Sequence, residues 1–101
     1  MAVIFQQTLP LGVPIDMLDA VADEMDVDND PPDGLIVHTH FEKDGHVQVL
    51  DVWQSAEHHD KFTESRLMPA MGKVAAARGF DLPQGQADAS VTEVHRVVRG
   101  R

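Results

Sequence analysis

The 101-residue chain has no cysteine. That absence excludes disulfide staples and thiolate chemistry, and it fits a chain kept in a reducing compartment. No apolar run approaches the roughly 18 residues that a membrane-spanning helix needs. No basic-then-apolar segment of the secretory kind is present either. A cytoplasmic protein with no membrane partner is therefore expected. Lys and Arg are absent from residues 1–42, which hold nine acids, whereas residues 43–101 hold eight acids and eight bases. The whole formal charge of −9 thus lies in the first half. Nucleic acid is bound chiefly through Lys and Arg, and the only basic cluster here is Arg96, Arg99 and Arg101. No nucleic-acid partner is expected. A Gly-rich phosphate loop, a nucleophile elbow, an internal repeat and a low-complexity tract are all missing, which removes nucleotide-dependent and hydrolase readings.

What remains is ordinary for a globular chain, 43% apolar and 25% charged, and its length is that of one domain spanning 1–101. Residues 2–8 read as a strand dense in β-formers at Val3, Ile4 and Phe5. Pro14 suits a helix start, and Ile15 to Met25 follows as helix, with Leu18, Val21, Ala22 and Met25 on one face. Residues 28–34 are loop by composition. Strands are expected at 35–42 and 46–54, joined around Asp44-Gly45, a strong hairpin signal. Ser55 caps a helix through Leu67, which Pro69 must end or kink; helix resumes over 70–78 and stops at Gly79. A loop over 81–89 leads to a last strand over 90–98.

The order βαββαβ describes an α+β, ferredoxin-like fold: a four-stranded antiparallel sheet with two helices on one face. Strands three and four nonetheless carry apolar residues at both parities, Val47, Val49 and Trp53 against Leu50 and Val52, then Val91 and Val97 against Val94 and Val98. A second apolar face calls for a second cover, most simply another copy of the chain, so a homodimer is expected.

Asp51-Val52-Trp53-Gln54-Ser55, leading from a Val- and His-rich strand into a helix, resembles the dimeric α/β-barrel superfamily, which includes the antibiotic-biosynthesis monooxygenases. Gly34–His38 through Asp51–Trp53 to Arg66–Ala70 is most similar to one branch of small bacterial proteins whose chemistry is unassigned. The resemblance implies two sheets facing each other across a dimer, with a small-ligand cavity beside the sheet in each subunit. In the cofactor-free quinone-forming monooxygenases of that superfamily, a tryptophan at the position of Trp53 lines the cavity. An asparagine commonly precedes it by four, where this chain has Val49, and many members have a histidine where this chain has Phe62. Only the tryptophan is kept. The resemblance thus implies ligand contacts at Trp53, Val49 and Phe62, with no cofactor.

His38 and His40, two apart on a strand, share one face. With a two-residue Asp44-Gly45 turn, 38 pairs with 51, 40 with 49 and 36 with 53. His38 then meets Asp51 at a Cβ separation of about 5 Å, and a carboxylate beside imidazole is the arrangement of a general base. With a three-residue Lys43-Asp44-Gly45 loop, His38 pairs with Leu50 and Asp51 moves to the opposite face. Both turns fit the sequence, and His38 can equally be a hydrogen-bonded structural residue.

A zinc site at His38 and His40 lacks a third ligand that spacing selects, and His58-His59 diverge on a helix, so no metal is expected. Asp26-Val27-Asp28-Asn29-Asp30 opens like a calcium loop, but Pro31 and Val37 stand where glycine and glutamate are required. The function expected is binding of a small aromatic or enolic ligand. If the protein is catalytic, it abstracts a proton from a phenol or enol without a cofactor, with His38 as base and Asp51 orienting it, ahead of oxygenation or isomerisation. The competing class is a non-catalytic dimeric ligand-binding or interaction module, since one fold hosts many activities.

Overall fold

The computed structural model describes residues 1–81 and 88–101. Strand β1 (Val3–Thr8) passes through Pro10 and Gly12 to helix α1 (Ile15–Met25). Pro14 is extended and precedes the first turn, where Asp16 faces the positive end of the helix dipole. The helix ends at Asp26 in the left-handed region (φ 54°), a conformation Asp tolerates better than most residues. Strands β2 (Leu35–Lys43) and β3 (His46–Trp53) form the hairpin, and β4 (Asp88–Glu93) comes last.

Between β3 and β4 the chain is helical in three pieces: α2 (Ala56–Phe62), a π turn (Thr63–Leu67) and α3 (Met68–Arg78). Ser55 caps α2 as expected, its Oγ accepting the His58 N–H at 3.2 Å, and Gly79 closes α3 with φ 64°. Pro69 does not break the path. It sits in the first turn of α3, directly after the π turn, whose wider hydrogen-bond spacing suits a residue without an N–H. Thr63 and Ser65 donate their hydroxyls one turn back, to the carbonyls of His59 (2.9 Å) and Lys61 (2.6 Å), a pattern that bends helices.

The sheet order is β2-β3-β1-β4, antiparallel throughout. Lys43 pairs with His46, and Asp44 and Gly45 both have positive φ (55° and 79°), so the hairpin has the two-residue turn. His38 therefore lies opposite Asp51, and His40 opposite Val49. The expected 36–53 pair does not form. A bulge between Leu35 and Val37 sets Ile36 aside and places Leu35 opposite Trp53.

β4 also differs from expectation, spanning 88–93 instead of 90–98. Among the described residues it pairs only along β1; once Val94 donates its N–H to Ala2 O (2.8 Å), no described strand continues beside it, and Val97 and Val98 lie outside the sheet. The expected 81–89 loop falls largely outside the described residues.

Val3, Val47, Asp51 and Trp53 are buried on the face that the helices cover. Met17 and Val21 of α1 pack with Ala70, Val74 and Ala75 of α3, so Met17, more than Leu18, carries the apolar face of α1. Lys73 on α3 meets Glu24 on α1 at 2.6 Å, and that hydrogen bond, then the charge of Glu24, raises the ammonium above the ordinary lysine value. The opposite sheet face carries Ile4, Val37, Phe41, Leu50 and Val52 among Thr and Gln side chains and, among the described residues, has no helix over it. Among the described residues, no helix is long and apolar enough to cross a membrane.

Gly34 joins the acidic loop to β2 with φ 83°, and a Cβ there would strike the ring and Cβ of His58. Gly34→Ala is expected to destabilise by at least about 2 kcal/mol, read as a lower urea midpoint. Adding His58→Ala should recover the steric share of the loss and leave the conformational share.

Candidate functional site

The register of the hairpin builds the site. His38 on β2 approaches Asp51 on β3, with Nδ1 and Oδ1 2.6 Å apart. The Asp51 side chain is 8% exposed and that of His38 is 37% exposed, so a buried carboxylate holds a half-exposed imidazole. The other carboxylate oxygen of Asp51 accepts the indole N–H of Trp53 at 3.3 Å. Two donors thus compensate a charge that would otherwise be costly to remove from water.

The chain of contacts continues outward. His38 Nε2 meets His40 Nδ1 at 2.9 Å, and His40 Nε2 meets Asp19 Oδ1 of α1 at 2.7 Å. Asp51, His38, His40 and Asp19 form one line from the buried middle of the sheet to a carboxylate that is 63% exposed. Such an arrangement can fix imidazole tautomers and pass a proton along its length.

The expected pair, His38 and Asp51, is brought together. Of the expected ligand contacts, Trp53 and Phe62 meet each other, and Val49 borders a different cleft. Trp53 is 1% exposed and packs against Phe62 and His59, with ring centroids 5.3 and 5.6 Å apart, so it is core and a donor to Asp51. Phe62 borders an open cleft of about 330 Å³ with His58, Lys61, Arg66 and the Asp30–Asp33 segment. Val49 borders a second cleft of about 190 Å³, with Phe41, Gln48 and Leu50. Neither cleft is lined by Trp53 or His38. The expected cavity between sheet and helices, walled by both, is therefore not either of these clefts, because the indole is packed among side chains where a ligand would touch it.

His40 and Asp19 were not expected at the site. Equal parity with His38 pointed to His40, but Asp19 reads in sequence as a solvent-facing helix acid, and no local pattern gives the register between a helix and a strand 21 residues apart. The remaining described histidines have other roles. His46 Nδ1 meets Leu9 O at 2.9 Å, His58 Nδ1 meets Ser55 Oγ at 2.6 Å, His59 packs against Phe5 and edge-on to Trp53, and His95 is exposed beyond β4. The acidic loop is closed by Arg66, which donates to Met25 O and Asp30 O at 2.7 and 2.9 Å. Among the described residues no group of three or more His, Asp or Glu is placed to hold a metal ion.

Asp51→Ala strands the buried indole N–H and unseats His38. A loss of about 1–3 kcal/mol is expected, with a smaller loss for Asp51→Asn. The chain has one tryptophan, so the fluorescence of Trp53 reports both the local change and the unfolding midpoint.

No family model matches the chain, and no curated protein matches it in sequence. Solved structures do match it in fold. A Caulobacter crescentus structure assigned by name to the antibiotic biosynthesis monooxygenases superposes with a TM-score of 0.68 at 12% identity, over 94% of this chain and 91% of that one. SnoaB, a cofactor-independent oxygenase from Streptomyces nogalater, superposes with a TM-score of 0.62 at 13% identity, over 98% of each chain. Rv0793 from Mycobacterium tuberculosis gives 0.59 at 17% identity, over 97% and 98%. The protein therefore has the ferredoxin-like α+β fold of antibiotic-biosynthesis-monooxygenase-like proteins, as the resemblance around Trp53 implied.

Proposed function

We propose that the chain binds a small phenolic or enolic molecule and removes a proton from it without a cofactor, His38 acting as general base and Asp51 as its orienting partner. The observation that carries this reading is the 2.6 Å contact between a half-exposed imidazole and a buried carboxylate. Asp51 commits Nδ1 to an N–H, so Nε2 is the basic nitrogen, and His40 has to yield to the substrate. Exposure of His38 lets a ligand reach it without opening the core. The enolate or phenolate so formed is the starting point for reprotonation at another carbon, an isomerisation, or for addition of dioxygen as the oxidant. The fold shared with SnoaB, a cofactor-independent oxygenase, supports the class of chemistry.

A second reading, a non-catalytic dimeric module, is favoured by one observation: both ring nitrogens of His38 already have protein partners. Either reading includes a second copy of the chain on the uncovered sheet face, where Val37 is 44% and Phe41 37% exposed. Light scattering is expected to give twice the chain mass of 11.1 kDa. Phe41→Asp should shift that mass to the monomer's.

The catalytic reading is tested in deuterium oxide with polycyclic phenols and cyclic 1,3-diketones as probes, following deuterium entry at carbon and oxygen uptake. Wild type should accelerate deuterium entry, and His38→Ala should lose about 100-fold or more of that acceleration. Equal rates in the two proteins would leave the binding module as the reading.

A further inference from the structure

The line Asp51–His38–His40–Asp19 has a proton count that follows from its geometry. Three contacts at 2.6, 2.9 and 2.7 Å are all within hydrogen-bond range, and each needs one hydrogen and only one. An ionised carboxylate only accepts, so the outer contacts place hydrogens on His38 Nδ1 and His40 Nε2. The inner contact joins two ring nitrogens and needs a third hydrogen. Two neutral imidazoles carry two. The closed line therefore holds one proton more than two ionised carboxylates and two neutral rings, wherever along it that proton sits.

We infer that the closed line is the proton-loaded state of a two-histidine relay, in which His40 and Asp19 are positioning residues for His38. The inference rests on the proposed role of His38 as base and adds where its proton goes. In the base form, one hydrogen short, the three contacts cannot all be made. The Asp51 end is buried and also holds the Trp53 indole, so an unmet group there is costly, whereas the Asp19 carboxylate is largely in solvent and water replaces its partner. The break therefore falls at the Asp19 contact: His40 carries its one hydrogen on Nδ1 and donates it to His38 Nε2 until substrate displaces it.

Proton transfer then closes the line. The substrate O–H or C–H bond breaks, its electron pair stays on oxygen or carbon, and the proton forms the Nε2–H bond of His38. Where the anion is reprotonated at carbon, His38 Nε2–H gives up its hydrogen, exchanged with solvent through the line, to that carbon. Where the anion goes on to add dioxygen, the proton stays on His38 and that N–H donates to His40 Nδ1. His40 Nε2–H donates to Asp19, and the excess proton is lost to water from the exposed end. The two ends of the relay differ in exposure, a carboxylate at 8% and one at 63%, with His38 at 37% and His40 at 18% between them.

The test is a long-range proton–nitrogen correlation spectrum of the histidine rings of the full chain at neutral pH, which distinguishes each tautomer and the doubly protonated ring. In the wild type, His38 and His40 should together show three protonated nitrogens, with His38 Nδ1 and His40 Nε2 among them. Asp19→Ala, at an exposed helix position, should lose one protonated nitrogen from the pair while His38 Nδ1–H persists. Asp19→Glu should restore it. Two neutral rings in the wild type, or an Asp19→Ala spectrum like the wild type's, would overturn the relay. Because the wild-type spectrum needs no variant and no turnover, the two proposals fail separately. Three protonated nitrogens without deuterium entry into the probes sink the base and leave the relay; deuterium entry with two neutral rings does the reverse.

Discussion

Everything at the site depends on one two-residue turn. Asp44 and Gly45 both take positive φ, the conformation whose twist matches the strands it joins, and Gly and Asp are among the few residues that accept it. One residue more in the loop would pair His38 with Leu50 and carry Asp51 to the face that no helix covers. The line from Asp51 to Asp19 would then not exist. At the far end of the same pair of strands the bulge at Ile36 resets the register by one, so that Leu35 rather than Ile36 lies over Trp53.

Burial then differentiates four polar side chains that the sequence makes look alike. β3 is an inner strand and β2 an edge strand, so Asp51 is sealed under the helices while His38 beside it is half open. The carboxylate has two donors and is 8% exposed, which makes it the rigid end of the line. Asp19 is on the outer part of α1, where solvent competes for it, which makes that the labile end. Direction in the proposed relay would thus come from sheet order and helix placement, with no need for chemically different groups.

Most of the fold was legible because its signals are local. The helix over 15–25, the Ser55 cap, the Gly79 stop and the Asp44-Gly45 hairpin each depend on a few adjacent residues whose conformational preferences agree. The His38–Asp51 pair was legible conditionally, as a consequence of one of two turns. The π turn before Pro69 was not legible, since it is a compromise between helix continuity and a missing N–H that tertiary packing settles. β4 was placed too late because the extent of an edge strand is set by the length of its partner, β1, and not by its own valines. Asp19 was invisible as a site residue for a related reason: docking of α1 on β2 is a long-range outcome, and an exposed helix acid has the same local pattern whether or not it meets a histidine.

The tryptophan that carries the resemblance illustrates how a shared fold parts from a shared site. The resemblance makes Trp53 a wall against which a substrate lies. Here its ring is packed among Phe62, His59 and the sheet, and its one polar atom is spent on Asp51. The resemblance implies polar groups where this chain has Val49 and Phe62, whereas its own His38 and His40 lie one strand outward, on β2. An apolar replacement next to a buried tryptophan favours filling the space over keeping it open, because an empty apolar cavity forfeits packing. His38, on the edge strand, is open to solvent at 37% exposure. The tryptophan holds the Asp51 carboxylate in place, and through it the proposed base at the sheet edge.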